Sequence, residues 1–152
     1  MGMRIMVKAT SDAELAERLN RRRARMLPIL GLFFIIQQSA YWSNPPAARV
    51  VDHVRMGAWA AMALVILFVV STGGFWRRSA AVRAMINDEQ TRANRNAAMS
   101  AGFIASMLAG IALYVLQGAL QLGAGEAIHL IVSAGLIVVL MRFAMLERRG
   151  LD

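Results

Sequence analysis

The chain has 152 residues, a normal length for one domain, of which 58% are hydrophobic and only 17% charged. That balance is too apolar for an ordinary soluble domain and fits a membrane class. Cysteine is absent, which excludes a disulfide framework, a zinc–thiolate site, an iron–sulfur cluster and a thiol nucleophile. The formal net charge is +8, and its placement matters more than its total.

Residues 1–25 form a basic arm. TSDAELAERLNRRRARM opens with Thr10, Ser11 and Asp12, each able to cap a helix. Ser11 and Glu14 have capping-box spacing, and Leu15 and Leu19 stand at i and i+4. The arm reads as a short amphipathic helix that feeds the first span. It lacks the form of a cleavable signal peptide, because its apolar run starts only after residue 25. Met6 stands where N-myristoylation needs Ser or Thr.

Four apolar stretches follow, at about 26–43, 53–72, 97–120 and 127–146. Each approaches the roughly 20 residues a helix needs to cross a bilayer. The first ends in QQSAYWSNPP, where Tyr41 and Trp42 suit the interface and Pro45 and Pro46 stop the helix. The second ends in STGGFWRRS, with Gly73 and Gly74 as the stop and Trp76 ahead of Arg77 and Arg78 at the interface. A polar loop spans 74–96. The last connection, QLGAGE, is so short that spans three and four must be antiparallel neighbours.

The arm carries seven basic residues: Arg4, Lys8, Arg18, Arg21, Arg22, Arg23 and Arg25. The 74–96 loop carries Arg77, Arg78, Arg83, Arg92 and Arg95, and the tail Arg142, Arg148 and Arg149. The other two connections hold only Arg49 and Arg55. The positive-inside rule then places both termini and the 74–96 loop in the cytoplasm, and 44–51 and 121–126 outside. Most of the charge is topology and attraction to the anionic headgroups of the lipid bilayer. Nucleic acid is not an expected partner, since the arginines lack interleaved aromatics and a recognition motif. The expected fold is an all-α integral membrane four-helix bundle in the bacterial inner membrane. Its topology is antiparallel up-down, preceded by the short cytoplasmic helix.

Span three carries two neighbouring stripes of small residues. Ala97, Ala101, Ala105 and Ala109 repeat every four residues, as do Gly102, Ser106 and Gly110. Small residues at this spacing let helix backbones approach closely in lipid. Span three is the expected central packing helix, against either this chain or a second copy.

INDEQTRANRNAAMSAGF, residues 86–103, leads into that span. Asn87 or Asp88 suits a helix cap, and acidic residues suit a first turn. Asp88 and Glu89 stand at i, i+4 and i, i+3 from Arg92, the favourable order for ion pairs. The stretch reads as a helical extension of span three, its polar side continued by Arg95. NDEQTRANRNAAMSAGF resembles the loop-to-helix junction of small bacterial and archaeal membrane proteins of unknown function. That resemblance covers about a ninth of the chain and implies four spans. It also implies partner contact through Asp88, Glu89, Arg92 and Arg95, but carries no activity.

Polar residues within the spans gather in their outer halves: Gln37 and Gln38, then Asp52, His53 and Arg55. Tyr114, Gln117 and Gln121 share one helical face, as do Glu126, His129 and Ser133. Interhelical hydrogen bonding is the plain reading, and Gln37, Tyr114, Gln117 and Ser133 are the expected polar pocket. Two sharper readings stay open. Asp52, His53, Glu126 and His129 are a donor set suited to zinc or iron, Glu126 and His129 forming an E-x-x-H pair. His53 and His129 would equally serve as axial ligands of one b-type haem, and a quinone would use the same outer space. No cofactor is the base expectation.

No nucleophile elbow, phosphate loop, Rossmann glycine pattern or H-E-x-x-H is present. The chain is similar to the small multidrug-resistance exporters in size and span number, but those carry a carboxylate in their first span and residues 26–43 have none. The expected function is that of a non-enzymatic accessory or scaffold subunit, in a homo-oligomer or a larger membrane complex. The alternatives are a haem, metal or quinone protein and a small transporter or lipid-handling protein.

Overall fold

The computed structural model describes the backbone of residues 2–43, 50–74 and 79–149, and side chains within 13–39, 53–74 and 79–149. Among these residues the regular structure is helical: α1 (Gly2–Ser43), α2 (Val50–Thr72), α3 (Ala80–Ile86), α4 (Glu89–Leu120) and α5 (Ala124–Arg149). Three helices are long and apolar enough to cross a membrane, over His53–Thr72, Glu89–Leu120 and Ala124–Arg149. They coincide with the expected spans two, three and four and support a membrane protein. The expected first span is the C-terminal part of α1. The side chains of Tyr41, Trp42 and Asp52 lie outside the described residues, as do Pro45, Pro46, Trp76, Arg77 and Arg78 altogether.

The arm and the first apolar stretch are one 42-residue helix rather than two. It continues through Pro28, which removes the intrahelical N–H bond to the carbonyl of Ala24 and costs about 3 kcal/mol in an isolated helix. Packing along a single face outweighs that cost. Ala16, Leu19, Arg23, Leu27, Gly31 and Phe34 follow one another at three- or four-residue steps and are all buried. The lower part of this stripe packs on α3, where Ala16 and Leu19 meet Val82 and Ile86. Ser79 caps α3, its Oγ accepting from Val82 N at 3.4 Å. This seven-residue helix falls in a region expected to be loop.

The upper part of the stripe faces α5. Leu27 and Phe34 join Ala63, Ile66 and Val70 of α2, Ala98 of α4, and Leu136, Val139, Leu140, Phe143 and Ala144 of α5 in the main core. The central helix is therefore α5, which packs against α4, α1 and α2. That corrects the expectation for span three: 44% of α5's apolar window is buried, against 6% for α4. The reason lies in residue size. The small residues of α4 allow close approach along one narrow line, while Phe103, Ile104, Met107, Leu108, Ile111 and Val115 face outward.

That narrow line fits α5 tightly. A Cβ at Gly102 would overlap Val139 and stand 2.8 Å from the carbonyl oxygen of Gly135, and a Cβ at Gly135 would overlap Ser106 Oγ. Ser106 Oγ also donates to the Ile131 carbonyl at 3.3 Å. The packing face is thus Ala98, Gly102, Ser106 and Gly110, whereas Ala101, Ala105 and Ala109 are half-buried at its margin. Partner numbers fall along α5 as they rise along α4, from Asn94–Glu147 to Gly110–Ile131, the register of an antiparallel pair. Between the two helices α4 ends at Gln121, whose φ is 46° and whose N–H returns to Gln117.

Candidate functional site

Two polar clusters lie at opposite ends of the α1–α5 contact. The first is built at the arginine-rich end. Arg23 of α1 and Glu147 of α5 form an ion pair, and both side chains are more than nine-tenths buried. Arg23 Nε donates to Glu147 Oε2 at 3.0 Å and Nη2 donates to the same oxygen. Nη2 also donates to Thr91 Oγ1 at 3.1 Å, and Asn94 Nδ2 donates to Glu147 Oε1 at 3.2 Å. Gln90 Nε2 supports Asn94 by donating to its Oδ1 at 3.2 Å. The guanidinium lies 5.5 Å from the centroid of the Phe143 ring, within reach of a cation–π interaction. Arg23 Nη1 has no acceptor among the described residues. The network ties three helices at one point, and both oxygens of the buried carboxylate accept hydrogen bonds.

The junction from residue 86 to 103 enters this network by unexpected residues. Asp88 does cap α4, its Oδ1 accepting from Thr91 N at 2.8 Å. Among the described residues the expected pairs of Asp88 and Glu89 with Arg92 do not form, and Asp88 is engaged by the cap. Asp88, Glu89 and Arg92 are exposed, while Arg95 turns toward Gly73 at the end of α2. On the opposite side of the same helical turn, Thr91 accepts from Arg23 and Asn94 donates to Glu147.

The second cluster is at the other end. His129 is 6% exposed. Its Nε2 hydrogen-bonds Gln38 Oε1, and its ring stacks on Trp59 with centroids 4.3 Å apart and planes at 29°. Several buried polar atoms nearby on these helices have no hydrogen-bond partner among the described residues: Gln37 Oε1, Gln38 Nε2, Trp59 Nε1 and Ser133 Oγ. Of the expected polar pocket, Gln37 and Ser133 turn inward, but Tyr114 is 73% exposed and Gln117 is exposed too. Those two lie on the outward face of α4, because the small-residue line of that helix takes the contact with α5.

Of the expected metal and haem donors, His53 is exposed on α2 and Glu126 turns back to accept from Gly123 N at 2.9 Å. Among the described residues no group of three or more His, Asp or Glu gathers. The residues that sequence reading passed over are Arg23, Glu147, Thr91, Asn94 and Trp59. Arg23 and Glu147 did carry a signal, since each falls on the apolar stripe of its own helix. No protein-family model matches the chain, nor does any curated protein or solved structure.

Proposed function

We propose that the chain is a four-span integral membrane protein, antiparallel up-down, acting as a non-enzymatic accessory or scaffold subunit. The observation that carries the membrane part is the spacing of the two polar clusters. Arg23 and Gln38 are fifteen residues apart on α1, about 22 Å of helix. His129 and Glu147 are eighteen apart on α5, about 27 Å. A bilayer's hydrocarbon core is about 30 Å thick, so each cluster would sit near one boundary. Between Met26 and Ile36, α1 carries no charged residue. Both polar clusters join helices, which favours a structural role. The arginine distribution favours an inner bacterial membrane with both termini cytoplasmic.

Association would use the outward face of α4, since its small-residue face is taken by α5. The chain's lack of cysteine makes the test clean. Leu108→Cys and Met107→Cys in nanodiscs should give oxidised cross-linked dimers, or cross-links to a co-purifying protein, while Leu64→Cys on α2 should not. A strictly monomeric protein with no co-purifying partner would end the scaffold reading.

A second reading is favoured by the outer cluster. Gln38 Nε2 and Trp59 Nε1 are buried donors without acceptors among the described residues, which suits a quinone carbonyl better than a cation. Solvent extraction of gently isolated protein should then yield stoichiometric quinone. Its absence, together with unquenched Trp59 fluorescence on adding a soluble quinone, would remove this reading.

A further inference from the structure

Between α1 and α2, toward the arginine-rich end, lies a cleft of about 550 Å³. That falls within the roughly 300–1,000 Å³ range of small-molecule sites. One wall is Met26, Ile29 and Phe33 of α1, and the other is Val69 and Val70 of α2. The walls are apolar, but the end of the cleft is not: Arg22 and Arg23 line it. Arg22 is exposed. Arg23 is 8% exposed, and its Nη1 has no acceptor among the described residues.

We propose that this cleft seats one anionic phospholipid from the leaflet on the arginine-rich side. The acyl chain lies between Ile29 and Phe33 on one wall and Val69 on the other, and the phosphate lies at Arg22. The proposal rests on the membrane reading but not on the scaffold role. Charge complementarity selects the occupant. An apolar partner helix would leave Arg22 at the mouth without an anion, and a zwitterionic lipid brings its own cation to an already basic end. A headgroup oxygen beside Arg22 also adds negative charge next to Arg23, whose guanidinium Glu147 neutralises from the opposite side. The bound lipid would thereby add to the contact that Ala63, Ile66 and Val70 of α2 already make with the α1–α5 pair.

The test uses the full chain, reconstituted into vesicles of equal parts phosphatidylglycerol and phosphatidylcholine, then extracted in mild detergent for native mass spectrometry. The wild type should retain a single phosphatidylglycerol in preference to phosphatidylcholine. Arg22→Gln should lower the retained fraction about fivefold, the effect of one basic side chain at an anionic surface. Ile29→Trp should fill the cleft and abolish retention of either lipid. Arg25→Gln, also exposed but away from the cleft, should change nothing. Equal retention of both lipids by the wild type would overturn the proposal, as would retention that Arg22→Gln leaves unaltered. A dimer mass that Ile29→Trp abolishes, with no lipid retained, would assign the cleft to a second copy instead. A chain that never enters the vesicles would refute the membrane reading itself. Arg22 and Ile29 are both exposed, so neither change disturbs the core, and unfolding temperatures check this.

Discussion

Arg23 and Glu147 stand 124 positions apart in the chain and meet with almost no contact with solvent. A buried ion pair contributes modestly as a pair, but removing one partner strands a charge and costs about 3–5 kcal/mol. Glu147→Gln should therefore lower the unfolding midpoint in mild detergent by that equivalent, and Arg23→Met with Glu147→Leu together should recover most of it. A single substitution with no effect would show that the pair does not clamp the helices. The same turn of α4 gives a finer contrast. Asp88→Ala should cost about 1 kcal/mol through loss of the cap, while Arg92→Ala should stay within about 0.5 kcal/mol as an exposed change. If both cost the same, the cap is not the role of Asp88. The cap was legible in the sequence because Asp88 and Thr91 are local neighbours. The buried pair was harder to see, since seven basic residues in one arm look alike until the apolar stripe singles out Arg23.

At the scale of the helix, small residues decide which neighbours approach. Within lipid, association rests on dispersion and close packing more than on hydrophobic driving force. Gly102 and Gly135 leave no space for a methyl group between α4 and α5. Gly102→Ala and Gly135→Ala should each destabilise by about 1–3 kcal/mol through overpacking. Gly118 and Gly57 have nothing within 4 Å of a built Cβ, so alanine there should be neutral or stabilise by up to about 1 kcal/mol. Unfolding in a denaturing detergent, followed by circular dichroism, separates the two groups; equal effects would contradict the close contact. The stripe on span three was visible from its four-residue repeat. That its partner is α5, and that α5 becomes the centre, was not visible. Leu136, Leu140 and Phe143 read as uniformly apolar until packing chooses a face. The arm's helical character was legible, but its start was not, since Thr10, Ser11 and Asp12 lie inside α1 instead of capping it, and neither was its continuity through Pro28, because local chemistry alone argues for a break.

For the molecule as a whole, three helices among the described residues qualify as spans by length and composition, and the proposed arrangement has a fourth in the C-terminal part of α1. In that arrangement the two polar clusters would fasten the helices near the boundaries, with an apolar interior between them and a basic surface on one side. The His129 cluster was half legible: helical spacing placed His129 and Ser133 on one face of α5, but nothing local identified Gln38 and Trp59 as neighbours of His129. Single-cysteine labelling tests the four-span arrangement most directly. Arg18→Cys, Asn44→Cys, Arg83→Cys and Gly123→Cys would each be exposed, in sealed vesicles of known orientation, to a membrane-impermeant maleimide. The four-span arrangement predicts positions 44 and 123 labelled from one side and positions 18 and 83 from the other. Labelling of positions 18 and 44 from the same side would contradict it, because α1 would then not cross the membrane.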